Sequence, residues 1–330
     1  MTDPTLMCLE NFKEQGIIDA KSAQILHDFY LSYRKATLDH SNEEVISGNF
    51  FRLVQLVAEQ IQDPYAFEIF HQSQRSPFDY YQFGLDFIRP LIDFAHSKVL
   101  GVDQINKIKN QLNQKENVIL FANHQTEPDP QIICSSIESH FPELAQKMIF
   151  VAGHRVVSDP LAVPLSRGCN LLCIYSKKHM NHSSQHKAQK VLHNQKTIKK
   201  VSELLDEGGH CIYVAPSGGR DRPNEKGVFE VADFDTQSIE LFWLLAKHSK
   251  QSTHFYPLSL KTYTLMPPPP KVEQQLGEKR NVNYTPVFIA FGEEINMDGF
   301  QQNEKLDKKA VQQKRSLYIL EQVKKNYLSF

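Results

Sequence analysis

Six strongly apolar segments mark the chain beyond residue 116. They are hydrophobic almost throughout rather than at alternate positions, which is typical of strands covered on both faces. Six buried strands are therefore predicted over NVILFAN, MIFVAG, NLLCIYS, HCIYVAPS, HFYPLSLK and PVFIAFGEEI. Between several of these segments, apolar residues recur at helical spacing. Helices are predicted over PQIICSSIES after Asp129, from Ser184 to Glu207, and from Asp235 to Ser249. The alternation predicts an α/β fold with a mixed, largely parallel sheet flanked by helices.

The first 75 or so residues show a different pattern. The stretches DAKSAQILHDFYLSYRKATLD and SNEEVISGNFFRLVQLVAEQIQ place apolar residues at helical spacing, and no strand is predicted among them. The polar stretch SQRSPFD follows, and YYQFGLDFIRPLIDFAHSKVLG then resumes a helical pattern. We therefore expect a small N-terminal helical-bundle domain over residues 1–76 and an α/β domain over residues 77–330.

Composition places the chain among ordinary globular proteins. Its 330 residues, 41% of them hydrophobic, are enough for a sizeable core. No apolar run approaches the roughly 20 residues that cross a bilayer, and MTDPTLMCLENFKEQG lacks the features of a signal or transit peptide. The five cysteines are scattered and odd in number, as expected for reduced thiols. These features predict an unprocessed, soluble cytoplasmic protein.

Charge is distributed unevenly along the chain. The net charge is only -1, yet residues 160–202 contain no Asp or Glu and eight Lys or Arg residues. Such a segment creates a positive field that attracts an anionic partner. A solvated basic helix face without a function remains the alternative.

Candidate chemistry follows the predicted strands, where α/β proteins place their ligands. After VILFA, the stretch NHQTEPD brings His124 and Asp129 together, and a carboxylate that holds one ring nitrogen makes the other a better base. After NLLCI, the stretch YSKKHM supplies Lys178 and His179. After CIYV, APSGGRDRP supplies Arg220 and Arg222, which could both face one phosphate.

These residues leave alternatives open. The histidine could form a purely structural hydrogen bond, and the two arginines could pair with Asp221, Glu225 or Asp233 at the surface. A metal could bind His124 with Glu127 and Asp129, or the histidines at 182, 186 and 193. The spacing is unlike that of usual zinc sites, and the GxSxG, GxGxxG and GxxxxGK[ST] motifs are absent.

The motifs NHQTEPDP, VAGHRVVSDPL, NLLCIYSKKHM and YVAPSGGRDRP, with the later MPPPP and GEKR, form a recognisable set. In order and spacing, from about Val118 to Arg280, they resemble the soluble plastid-type and chlamydial-type sn-glycerol-3-phosphate 1-acyltransferases. The resemblance implies a helical bundle beside an α/β catalytic domain. It also implies that His124 is the general base, that Asp129 orients it, and that the phosphate is bound by Lys178, His179, Arg220 and Arg222.

The resemblance further implies a reaction and its partners. A fatty acyl group would pass from acyl-acyl carrier protein or acyl-CoA to the sn-1 hydroxyl of glycerol 3-phosphate, in phospholipid biosynthesis. No cofactor, metal or nucleic acid is expected. From the charge asymmetry we expect an acidic acyl carrier protein to dock on Lys187, Lys190, Lys196, Lys199 and Lys200. Peripheral membrane contact through the same patch, sn-2 acylation of lysophosphatidate and a non-catalytic anion-binding role stay open.

Overall fold

The computed structural model describes residues 3–175, 184–225, 227–270, 277–301 and 307–330. Its strands are β1 (Phe70–His71), β2 (Lys98–Leu100), β3 (Asn117–Ala122), β4 (Ile149–Gly153), β5 (Asn170–Ile174), β6 (Cys211–Val214), β7 (Thr253–Lys261) and β8 (Phe288–Phe291). They form one sheet in the order β1-β5-β4-β6-β3-β7-β8-β2. The β1–β5 and β7–β8 pairs are antiparallel and the other neighbours are parallel. The predicted fold class is confirmed.

The α-helices of these residues are α1 (Pro4–Glu14), α2 (Ala20–Thr37), α3 (Glu43–Gln62), α4 (Tyr80–Ile88), α5 (Val102–Asn113), α6 (Asp129–Ile137), α7 (Pro142–Lys147), α8 (Val163–Ser166), α9 (Ser184–Glu207), α10 (Thr236–Lys247) and α11 (Lys308–Tyr327). The helix α9 ends as predicted, because Gly208 follows with a φ of +78° and its missing Cβ leaves room for the carbonyl of Lys115. Nowhere in the described ranges is a helix both long and apolar enough to cross a membrane.

The core lies on both faces of the sheet. Along β3, Val118, Leu120 and Ala122 point into one buried cluster, and Ile119 and Phe121 into the other. This alternation follows from the two-residue period of a strand, and it explains why β3 is apolar from Val118 to Ala122. The first cluster continues into the N-terminal helices α1, α2 and α3, whereas α9, α10 and α11 cover the second face. The division at residue 76 stays a prediction.

Two predictions about the residues that precede β3 are wrong. The helix expected over YYQFGLDFIRPLIDFAHSKVLG ends at Ile88, and a 3-10 turn over Arg89–Leu91 leads towards the strand β2. Pro90 explains the break, because proline donates no backbone hydrogen bond and disfavours helix in the residue before it. The N-terminal 75 residues also contain a strand, since β1 pairs with β5.

Candidate active site

A histidine and a carboxylate meet at the carboxyl edge of the sheet. His124 lies two residues beyond the end of β3, and Asp129 is the first residue of α6. His124 Nδ1 lies 2.7 Å from Asp129 Oδ2. Because an ionised carboxylate only accepts hydrogen bonds, Nδ1 carries the proton in this contact and Nε2 is the nitrogen that can accept one. The structure thus brings these two predicted residues together, with the imidazole 28% exposed and the carboxylate 1% exposed.

The carboxylate of Asp129 is held at both oxygens. Oδ2 also accepts the backbone N–H groups of Gln125, at 2.8 Å, and Thr126, at 3.2 Å. Oδ1 accepts the hydroxyl of Thr262 at 2.6 Å. Thr262 follows β7, which pairs with β3, so the neighbouring strand supplies the fourth donor. Sequence reasoning missed Thr262, because its distance of 133 residues from Asp129 leaves no local pattern to detect.

The predicted arginines follow β6, the strand beside β3. The loop turns at Gly218, whose φ of +64° favours glycine. Arg220 Nη2 donates to Glu278 at 2.7 Å, and Arg222 Nε donates to the carbonyl of Pro269 at 3.0 Å. Arg220 therefore pairs with Glu278, a carboxylate outside its own loop. Both arginines are partly buried near the histidine loop.

Electrostatics in this loop favour an anion. Burial and the neighbouring positive charge of Arg220 lower the pKa of Arg222, and Arg155 lowers it further. Arg155 follows β4, and its Nη2 lies 4.0 Å from the carboxylate of Glu278. Three guanidinium groups thus approach the same edge of the sheet, and the carboxylate of Glu278 offsets part of their mutual repulsion. Arg155 was not among the predicted site residues, although it lies in the stretch VAGHRVVSDPL.

A buried ion network lies beside Glu278, whose backbone carbonyl accepts Nη1 of Arg280 at 2.9 Å. Arg280 is 4% exposed and binds both carboxylate oxygens of Glu127 at 3.1 Å, and it also contacts Asp159 at 3.3 Å. Burial opposes the charge of Arg280, but these carboxylates outweigh it and raise the pKa of the guanidinium. Glu127 is therefore committed to an arginine rather than to a metal shared with His124. In the ranges that the structure describes, no group of three or more His, Cys, Asp or Glu residues could hold a metal ion.

Several predicted residues cannot be placed. Lys178 and His179 lie outside the described residues, and so do the side chains of the histidines at 182 and 186. His193, the third histidine of that set, contacts the carbonyl of Cys173 at 2.9 Å.

The lysines predicted to dock a carrier all lie on α9. Lys187, Lys196 and Lys199 are exposed, whereas Lys190 lies 5.5 Å from the ring of Tyr175. Lys199 and Lys200 lie 3.9 Å and 3.5 Å from Glu203, which directly follows the acid-free segment. The positive charge of α9 is therefore partly offset towards its C-terminal end.

Comparison with known proteins shows which proteins this chain is similar to. Residues 104–261, from α5 to β7, match the family model described as Acyltransferase. A chloroplastic glycerol-3-phosphate acyltransferase of Pisum sativum is 39% identical over 287 residues, which are 86% of this chain and 63% of that protein. Over most of its length the chain is similar to glycerolipid acyltransferases. Chloroplastic glycerol-3-phosphate acyltransferases of Arabidopsis thaliana and Spinacia oleracea are each 38% identical, over 86% and 90% of this chain and 62% and 64% of their own lengths.

The chain spans less than two thirds of the length of the plant proteins that it matches. The predicted cytoplasmic location is wrong, because all three relatives are named chloroplastic.

Proposed function

We propose that this protein transfers a fatty acyl group from acyl-acyl carrier protein or acyl-CoA to the sn-1 hydroxyl of glycerol 3-phosphate. The observation that carries the proposal is the 2.7 Å contact between His124 Nδ1 and the buried carboxylate of Asp129. It supplies an oriented base at the carboxyl edge of the sheet. The names of the three plant relatives support the same substrate and reaction.

The base acts through Nε2 of His124. As the sn-1 hydroxyl oxygen attacks the thioester carbonyl carbon, the hydroxyl proton passes to Nε2, and Asp129 stabilises the imidazolium that forms. The tetrahedral intermediate then collapses, the C–S bond breaks, and the thiolate takes the proton from the imidazolium. The products are 1-acyl-sn-glycerol 3-phosphate and the free thiol of the carrier. No covalent acyl-enzyme is needed.

The phosphate of the acceptor is assigned to Arg220 and Arg222, together with Lys178 and His179. Support for the arginines comes from their position in the loop after β6, the strand next to β3, and from the repulsion between them. A phosphate held there fixes the short glycerol chain near the base. Holding the hydroxyl and the thioester together supplies much of the acceleration, since a positioned base alone contributes about 10²- to 10⁴-fold.

The acyl donor is assigned to the basic helix α9, with docking residues Lys187, Lys190, Lys196, Lys199 and Lys200. Lys187 and Lys190 precede His193, whose ring contacts the penultimate residue of β5. The first turns of α9 therefore extend beyond the carboxyl edge of the sheet, on the same side as His124. An acidic carrier bound there would deliver its thioester to that edge.

The test is product identification with the purified protein. Acyl-acyl carrier protein or acyl-CoA is mixed with glycerol 3-phosphate, thiol release is followed, and the acylated carbon is located by mass spectrometry and NMR. The proposal predicts release that depends on glycerol 3-phosphate and a product acylated at sn-1. A product acylated only at sn-2, or no transfer to glycerol 3-phosphate with either carrier, would overturn it.

A further inference from the structure

Asp221 lies between the two arginines in sequence but faces the histidine loop. It is fully buried, whereas Arg220 and Arg222 are partly exposed. Its Oδ2 accepts the side-chain amides of Asn123 at 3.0 Å and Gln125 at 3.4 Å, the residues on either side of His124. Its backbone N–H donates to the carbonyl of His124 at 2.6 Å. The loops after β3 and β6 are thus joined at one residue.

Both amide side chains are themselves fixed. Asn123 bonds the backbone of Leu260 through both its oxygen and its nitrogen, at 2.8 Å and 2.9 Å. The oxygen of Gln125 accepts the N–H of Thr262 at 2.7 Å. Each amide therefore presents its nitrogen to Asp221 and cannot flip without losing bonds to β7 or to the residue after it. The second oxygen of Asp221 accepts the N–H of Ala232 at 3.0 Å.

We propose that Asp221 is a positioning residue that sets the distance between the base His124 and the phosphate-binding arginines. This inference rests on the proposed function. Glycerol 3-phosphate is a short molecule. If the loop after β6 holds its phosphate, its sn-1 hydroxyl reaches His124 only when the loop after β3 lies at the correct distance. A misplacement of about 1 Å can cost roughly 10²-fold in rate. Arg220 and Arg222 take their own orientation from Glu278 and Pro269, so phosphate binding itself does not require the carboxylate of Asp221.

The test separates turnover from binding. Asp221→Ala should lower kcat by about 30- to 100-fold while the KM for glycerol 3-phosphate stays within about threefold of wild type. Asp221→Asn should lower kcat less than Asp221→Ala does, because its one oxygen can still accept both amides, although its NH₂ group then faces the N–H of Ala232. Asp233→Ala is the matched control, since the same change is made in a side chain that is 92% exposed. Circular dichroism verifies folding, and Asp221→Ser replaces Asp221→Ala if the latter does not fold.

The outcomes are distinct. A kcat close to wild type in Asp221→Ala, or a KM that rises in proportion to the fall in kcat, would refute the positioning role and leave the proposed function intact. A greater loss of kcat in Asp221→Asn than in Asp221→Ala would also refute it, because only the Asn side chain retains an oxygen that accepts both amides. A wild-type protein that does not acylate glycerol 3-phosphate would overturn both proposals.

Discussion

Asp129→Asn tests what the charge of the dyad contributes, because the surrounding donors preserve its shape. The backbone N–H groups of Gln125 and Thr126 require an oxygen at the position of Oδ2, so the amide oxygen should take that place. The new NH₂ group then faces the hydroxyl of Thr262, which can reverse its role from donor to acceptor. His124 keeps its partner and its tautomer, and only the negative charge is lost.

The expected loss can be worked from the geometry. With 2.7 Å between His124 Nδ1 and Asp129 Oδ2, the opposite charges of the transition state are centred about 4 Å apart. At an effective dielectric constant of about 20, this interaction amounts to about 4 kcal/mol. Each 1.36 kcal/mol corresponds to a tenfold change in rate, so kcat should fall by roughly 10³-fold.

The assay is steady-state thiol release at saturating acyl donor and glycerol 3-phosphate. The KM for glycerol 3-phosphate should be unchanged, because the substitution leaves Arg220 and Arg222 in place. Asp233→Asn provides the control for the same change at an exposed position. A decrease in kcat of less than about tenfold would refute the reasoning, since the buried carboxylate would then contribute little to stabilising the imidazolium.

Three further predictions concern neighbouring parts of the site. Thr262→Val leaves Oδ1 of the buried Asp129 without its hydroxyl donor, so the free energy of unfolding in urea should fall by roughly 1–3 kcal/mol; an unchanged value would contradict this. Burial raises the pKa of Asp221 above 3.8, so the stability that it contributes is present below that pH and is lost as the pH rises through the folded-state pKa. In urea titrations at a series of pH values, the free energy of unfolding of Asp221→Asn should therefore increase relative to that of wild type as the pH rises through this range. A difference that does not depend on pH would count against it. Lys187→Glu should raise the KM for acyl-acyl carrier protein more than Lys200→Glu does, because about 20 Å of helix separates the two and Lys200 already lies near Glu203; equal effects would exclude docking at the first turns of α9.

The sheet was predictable because its strands are covered on both faces. Parallel strands such as β3 are apolar at nearly every position, which produces a signal that needs no knowledge of their partners. The short strand β2 gives no such signal, since its outer residues Lys98 and Leu100 are exposed. The two-residue β1 is too short to show any period, and it exists because β5 offers an edge beside it.

The candidate site was predictable where its partners are close in sequence. His124 and Asp129 are five residues apart, and the turn between β3 and α6 brings them together. Thr262 and Glu278 reach the site from distant segments, so their contacts with Asp129 and Arg220 depend on the order of the strands. The same order decides that Asp221 faces inward, although the sequence alone suggested a surface partner for the arginines.

Comparison of wild type with His124→Ala tests the central claim most directly. Both proteins are given acyl-acyl carrier protein and glycerol 3-phosphate, and thiol release and 1-acylglycerol 3-phosphate are measured together. The binding of glycerol 3-phosphate is measured by calorimetry on the same samples. We predict that the variant forms no detectable product but binds glycerol 3-phosphate within about threefold of wild type. Product formation by the variant at the wild-type rate would contradict the assignment of His124 as the base.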